Sequence, residues 1–486
     1  MKKNNILFIL TFVTAVAFMS CKDDPPSGPT ASLGNNTVTK YAAIGNSLTA
    51  GYQSGGLYES AQMYSYPNLI AQQLAKAGAA LGKFEQPIWS DPGSYGPDIS
   101  TATRLEILNL TGPVIAPKGV PPGQTNLTLT RPYDNLGIPG AVLGDFLEET
   151  NDFIAKSTAR KNPFFAHVLR NPAYGKSVYQ QLRAISPKPE IITFWLGNND
   201  VLGFATSGGV LINSGAIISF EPTKQSDFQA MYTAALDSLR AAFPDAKIVV
   251  ANIPDVTAIP YFGVVNGAVY ANLKGAFALS YQKHGHTGRG NGSTYLNESN
   301  QPLLTLASAG YAAQIGQGTG KWYKDNGVPV PAEIDTTAMF GLDYTNPIPD
   351  ALILDSVEQK MAADAIAGYK QIIATVTANK KAEVVDVNGI FNSIKANGII
   401  ISGEKYTTDY LTGGLFSLDG VHPSSKGAGI VANEFIKVMN TKFGMSVPLV
   451  DVSSLPGIPA PLGKFASEKF LPKVDVKEIQ HLWNQK

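Results

Sequence analysis

At 486 residues the chain is long enough for a large hydrophobic core and long for a single α/β domain. Apolar residues make up 44% and charged residues 16%, a globular balance that excludes disorder and a membrane-spanning body. Lys and Arg number 38 against 38 Asp and Glu, and no local cation cluster breaks the balance, so there is no electrostatic footprint for nucleic acid.

Lys2 and Lys3 precede an uncharged, largely apolar run of 14 residues, Ile6 to Met19. That run is too short to span a bilayer comfortably and suits a signal peptide, expected over residues 1–20. Phe18-Met19-Ser20-Cys21 resembles a bacterial lipobox, with Phe18 where leucine is usual; the resemblance implies lipidation at Cys21. Cys21 is the single cysteine, so the mature chain has no intramolecular disulfide and its stability must come from packing. Removing Lys2 and Lys3 leaves 36 positive against 38 negative side chains, a net charge of −2. Lys22-Asp23-Asp24 and a Pro-, Gly- and Ser-rich stretch read as a flexible tether over 21–37. The Lys-Asp-Asp run resembles signals that carry lipoproteins to the outer surface. The expected location is therefore the cell envelope, as an outer-membrane lipoprotein facing the periplasm or the exterior, with the lipid as its membrane contact.

Val38 to Ile44 reads as the first strand, ending at Gly45. Leu81 to Arg131 is rich in Pro and Gly and reads as an insertion. Glu190 to Leu196 is almost continuously apolar, as a central parallel strand buried on both faces should be. Ser226 is placed to cap a helix whose Phe228, Met231, Ala235, Leu239 and Ala242 share one face. Lys247 to Ile253 is the next strand. A second insertion, Val256 to about Pro349, is loaded with Gly, Tyr, Asn and Ala. Ser356 with Gln359 fits a capping box for a helix striped by Val357, Met361, Tyr369, Ile372 and Val376. Ala382 to Val387 is a further strand, and Ser424 opens a helix through Ile430 and Phe435 to about Met439. From Val450 the chain reads as a Pro-rich tail, with a short amphipathic segment near Val476 to Trp483. Strands alternating with helices imply an α/β fold, three-layer α/β/α and flavodoxin-like, with a mostly parallel sheet and large loop insertions. Loops of that length are usually lids or carry structure of their own.

Four segments carry candidate chemistry. A serine hydroxyl becomes a useful nucleophile only with a base, a group that orients the base, and donors for the oxyanion. Gly45-Asn46-Ser47-Leu48 follows the first strand, where Ser47 is either a nucleophile at a strand end or the cap of a turn. Asn135-Leu-Gly137-Ile-Pro139-Gly140 offers the Gly140 N–H, or an ordinary Pro-Gly turn. Gly197-Asn198-Asn199-Asp200 follows the buried strand and offers an Asn amide, or an Asx turn. Asp419-Gly-Val-His422 puts a carboxylate three residues before an imidazole that it can orient. His284-Gly-His286 hints at a metal, but no carboxylate or cysteine lies near it in sequence, and a mobile loop is the expectation.

These blocks, in this order, resemble the SGNH (GDSL-family) hydrolases over about Val38 to Met445, the insertions excluded. Gly45-Asn46-Ser47-Leu48 is similar to that family's serine block, Gly140 to its glycine block, Gly197-Asn198-Asn199-Asp200 to its G-x-N-D block and Asp419-x-x-His422 to its closing block. The resemblance implies catalysis by Ser47, His422 and Asp419, with an oxyanion hole from the Ser47 N–H, the Gly140 N–H and the Asn199 side chain. It implies no metal and no organic cofactor, and an ester substrate such as a lipid, an aryl ester or an acylated glycan. One position departs: Asn46 stands where the family usually has Asp. The competing expectation is a binding or structural lipoprotein on a catalytically inactive fold. A G-x-S-x-G nucleophile elbow is absent, since Thr49 follows Leu48 where that motif has its second glycine.

Overall fold

The computed structural model describes residues 30–91, 93, 104–105, 123–149, 162, 164–263, 266, 278–294 and 302–457. The leader, Cys21, most of the tether, parts of both insertions and the amphipathic segment near Val476 lie outside the described residues. Among those residues, no helix is long and apolar enough to cross a membrane.

Five short strands form the central sheet: β1 (Tyr41–Gly45), β2 (Asn135–Gly137), β3 (Ile191–Trp195), β4 (Lys247–Ala251) and β5 (Glu383–Val385). Their spatial order is β5-β4-β3-β1-β2, and every pairing is parallel. The expected strand over Val38 to Ile44 begins at Tyr41 instead. Glu190 Oε2 accepts both the Thr39 and the Lys40 N–H, so that stretch bonds a side chain in place of the ladder.

Side chains alternate across the sheet with the period of two that strands impose. Ala42, Ile44, Ile192, Phe194, Ile248 and Val250 enter one apolar cluster, and Tyr41, Ala43, Ile191, Trp195, Val249 and Ala251 enter the other. Helices cover both faces. On one lie α2 (Tyr66–Lys76) and α7 (Ser425–Phe443), where the Tyr66 and Phe435 rings stack at 5.0 Å. On the other lie α3 (Asn199–Ser207), α4 (Gln225–Ala242) and α5 (Ser356–Asn379), with Phe228 of α4 stacked on Tyr369 of α5 at 3.9 Å. The expected three-layer α/β/α architecture is the observed one, with the central sheet wholly parallel.

Two expected caps shift. The first residue of α4 is Gln225, preceded by Lys224, which gives no side-chain cap; Ser226 already lies inside the first turn. The capping box of α5 is Asp355 with Glu358, one residue before Ser356 and Gln359. A carboxylate accepts the Val357 and Glu358 N–H groups better placed than the serine inside the turn. Ser424 caps α7 as expected, accepting the Gly427 N–H. The tail is also shorter than expected. Val450 and Val452 are buried, and Asn433 of α7 bonds the Val450 N–H and carbonyl.

Strand order reverses between β1 and β3, because the chain goes from β1 outward to β2 and then returns past β1 to β3. In open α/β sheets such a reversal leaves a crevice at the carboxyl ends of the strands. The segments after β1 and β3 carry Asn46-Ser47 and Asn198-Asn199.

Candidate active site

The turn after β1 is shaped by close approach. A Cβ on Gly45 would lie 1.9 Å from Thr49 Oγ1 and 2.8 Å from the Trp195 carbonyl oxygen; one on Gly137 would lie 2.5 Å from the Ala50 nitrogen. Glycine at both places lets the single turn α1 (Ser47–Ala50) seat directly against β2. Asn135 ties the two together, its side-chain amide donating to the Thr49 carbonyl at 2.8 Å. Asn46, not Ser47, caps α1: Asn46 Oδ1 accepts the Leu48 N–H at 3.0 Å. The amide at Asn46 thus keeps the acceptor that an aspartate would supply. Ser47 is left with its hydroxyl available to a partner.

That partner is His422, whose Nε2 lies 2.9 Å from Ser47 Oγ. His422 Nδ1 lies 3.0 Å from Asp419 Oδ2. A carboxylate facing Nδ1 fixes the proton there, so Nε2 is the acceptor and the serine hydroxyl donates. The three residues come from chain positions 375 apart yet are all buried, at 4%, 2% and 6% exposure for Ser47, His422 and Asp419.

Asp419 is closely wrapped. Its Oδ1 accepts the His422 N–H at 2.8 Å, the Val421 N–H at 2.9 Å and the Ser417 hydroxyl at 3.1 Å; its Oδ2 also accepts the Gly55 N–H at 3.0 Å. Burial alone would push this carboxyl up. The facing imidazole and the hydrogen bonds from His422 and Val421 outweigh burial and hold it below the usual carboxylate range. Ser417 is itself fixed by the Ser54 N–H at 2.9 Å, and the Tyr52 ring lies against the His422 ring at 4.8 Å. Sequence reasoning missed Gly55, Ser417 and Tyr52. Ser417, two residues before Asp419, and Tyr52, four after Leu48, lie near recognised blocks, and Gly55 lies farther off.

The segment after β3 enters the same crevice. Asn199 opens α3 and its Nδ2 donates to the Ala141 carbonyl at 2.8 Å, which leaves its second N–H unassigned. Gly140, at φ +77°, is therefore next in chain to the residue that Asn199 holds, but it does not line the cavity beside Ser47. Asp200 is buried; its Oδ2 accepts the Leu143 N–H at 2.9 Å and its Oδ1 the Thr223 hydroxyl at 3.0 Å, fastening α3 to the glycine turn. Asn198, quoted in the sequence only as a spacer, has a buried side-chain amide with neither Nδ2 nor Oδ1 hydrogen-bonded.

Ser47, His422, Asn198 and Asn199 border one cavity whose remaining wall is almost wholly apolar. Trp195 and Leu202 come from β3 and α3, Val256 and Ile259 from the start of the second insertion, and Ile390, Phe391 and Ile394 from α6 (Val387–Asn397). Leu415, Phe416 and Ile430 close it. The single charged residue in the described wall is Glu434.

The sheet, the reversal of strand order and the residues gathered there define a class, the α/β hydrolytic enzymes that cleave esters. Within it, the family model of the GDSL-like lipases and acylhydrolases matches residues 41–435, and the chain belongs to that family of ester-bond hydrolases. Among solved structures, the chain is similar to phospholipase A1 from Streptomyces albidoflavus at 12% identity, with 84% of this chain and 100% of that chain covered and a TM-score of 0.31. It is similar to a family 3 carbohydrate esterase of Clostridium thermocellum at 13% identity, with 84% and 98% covered and a TM-score of 0.29. The family assignment rests on the sequence match, not on these likenesses. A comparison with curated proteins yields no match.

Proposed function

We propose that the protein is an esterase or lipase that cleaves carboxylic esters of apolar acyl chains through an acyl-enzyme on Ser47. The observation that carries this reading is the Ser47–His422–Asp419 chain of hydrogen bonds opening on an apolar cavity. In this scheme His422 Nε2 takes the Ser47 proton as Oγ attacks the ester carbonyl. His422 then gives that proton to the leaving alkoxide, and later activates the water that releases the acid. Asp419 holds the Nδ1 tautomer and stabilises the imidazolium. The Ser47 N–H and the second Asn199 N–H would receive the oxyanion, while the expected third donor, the Gly140 N–H, lies outside the cavity wall. Asn198 would meet a polar atom of the ester or its leaving group, because its amide has no protein partner.

The cavity favours longer acyl chains over acetyl in this reading. An acetyl group on a glycan would leave its Phe391, Ile394 and Phe416 wall uncovered, whereas each buried methylene of a longer chain contributes about 0.8 kcal/mol, roughly fourfold in kcat/KM. Aryl esters of increasing acyl length, assayed with wild type and Ser47→Ala, test the reading. We expect kcat/KM to climb from acetyl to a medium-length chain, and Ser47→Ala to lose about 10⁴- to 10⁶-fold. Preference for acetyl would point to a deacetylase; a folded protein that is inert on every ester and ignores a fluorophosphonate would sink the acyl-enzyme.

The leader, the lipobox-like Phe18 to Cys21 and the Lys-Asp-Asp run support a placement as an outer-membrane lipoprotein. Labelling with a clickable fatty acid that vanishes in Cys21→Ser tests the anchor. Protease shaving of intact cells separates a surface from a periplasmic location.

A further inference from the structure

A second histidine meets carboxylates that the sequence holds far from it. His284 Nδ1 lies 3.1 Å from Glu358 Oε1, 74 residues away. The His284 N–H reaches Asp355 Oδ2 at 3.3 Å, and the Gly285 N–H donates to Asp350 Oδ2 at 2.8 Å. One donor atom from each of His284, Asp350 and Glu358 lies within 4.8 Å of the other two. Glu358 is fully buried, and its Oε2 is satisfied by the Asp355 N–H at 2.7 Å. Asp350 is 3% exposed, and its Oδ1 has no hydrogen-bond donor. Among the described residues, no lysine or arginine forms an ion pair with either acid.

A buried carboxylate oxygen without a donor is costly, and two carboxylates side by side repel as well. The one imidazole can offset one of the two carboxylates, which leaves the donorless Asp350 oxygen without a partner.

We propose that His284, Asp350 and Glu358 form a binding site for a divalent transition-metal ion, with zinc the best match to the donors. One imidazole nitrogen with two carboxylate oxygens suits zinc, whereas calcium and magnesium prefer shells of oxygen alone. Donors on a tetrahedral zinc stand about 3.3 Å apart. The His284–Glu358 pair is already at 3.1 Å, and the unpartnered Asp350 oxygen supplies the third ligand. The ion replaces the proton shared by Nδ1 and Oε1, which leaves to solvent with any proton on the acids. His284 is partly exposed, so an entry path exists and water can complete the shell.

The cluster sits where three parts of the chain converge. The last residue of α3 is Ser207, followed by Gly208 and Gly209, both at φ +61°. A Cβ on Gly209 would lie 2.9 Å from His284 Cε1, and one on Gly208 would lie 2.4 Å from the Asp350 carbonyl oxygen. An ion here fastens residues 278–294 of the second insertion to the start of α5, against the far end of the helix that begins at Asn199. It is a structural clamp, separate from the Ser47 chemistry.

The test is titration of the EDTA-stripped full chain with zinc chloride by calorimetry, with thermal melting alongside. We expect one zinc per chain and a melting temperature several degrees higher with the metal. His284→Ala and Asp350→Asn should each weaken zinc binding at least tenfold. The side-chain carbonyl introduced by Asp350→Asn can still accept the Gly285 N–H, so that variant should fold. The proposal is overturned if wild type shows no saturable binding, if both folded variants bind as wild type does, or if calcium binds as tightly as zinc.

Discussion

Two histidines in this protein face a carboxylate through Nδ1 at almost the same distance, 3.0 Å for His422 with Asp419 and 3.1 Å for His284 with Glu358. Their surroundings set them apart. Asp419 lies three residues from its histidine, on a turn that aims the Val421 and His422 N–H groups at one of its oxygens, and it is held below the usual carboxylate range. Glu358 opens a long helix, meets a second buried acid, and is pushed up to about 8 by burial. The first arrangement is complete in protein atoms and prepares Nε2 for Ser47. The second sets one imidazole against two buried acids. The same pair thus orients an imidazole toward Ser47 in one place and, on our proposal, belongs to a metal ligand set in the other.

Exchanging the carboxylate in each pair separates these roles most sharply. Asp419→Asn keeps the size but loses the charge that fixes the tautomer, and we expect kcat to fall by about 10⁴-fold with little change in KM. Glu358→Gln should leave kcat within about threefold of wild type, since Glu358 touches none of the residues around Ser47, while weakening zinc binding. If both variants lose activity alike, the two sites are not separate. Steady-state kinetics on one aryl ester decide it.

A smaller effect is expected from the oxyanion donors. Asn199→Ala removes one donor and the bond to the Ala141 carbonyl, and should lower kcat by about 10²- to 10³-fold, less than the change at Asp419. An effect under tenfold would mean that Asn199 serves only to hold the Ala141 turn. Asn198→Ala, measured beside it, then shows whether the unpartnered amide is the one that meets substrate.

The residues near Ser47 are legible in the sequence because each lies within a few positions of a strand end or a helix cap. Ser47, Asn199, Asp419 and His422 can each be placed by a short block and the sheet topology it implies. What the blocks hide is their support. The Gly55 N–H and the Ser417 hydroxyl reach Asp419 from positions whose residue types carry no signal of their own. β2 has three residues, below the length at which alternation can be read, so the parallel neighbour of β1 is invisible in sequence although its glycine block is not. The α5 cap shifts by one residue because Asp355-Ser356 offers two cap formers in succession. His284 reads as a loop residue since no acid is near it in sequence; only the packing of the second insertion on α5 brings Glu358 and Asp350 to it.

The smallest expected effect lies in acid, and it follows from the sign of the Asp419 shift. A carboxyl held below its ordinary value of 3.8 contributes stability that is fully present above that value and is lost as pH falls through the lower folded one. Wild type should therefore keep a constant stability advantage over Asp419→Asn from about pH 7 to pH 5, and that advantage should shrink below about pH 4. Glu358, held up rather than down, acts with the opposite sign, and because both proteins carry it, it cancels from the comparison. Urea unfolding of the two proteins at several pH values reads the difference directly. An advantage that grew toward acid would mean that burial, and not the imidazole with the backbone N–H groups, dominates at Asp419.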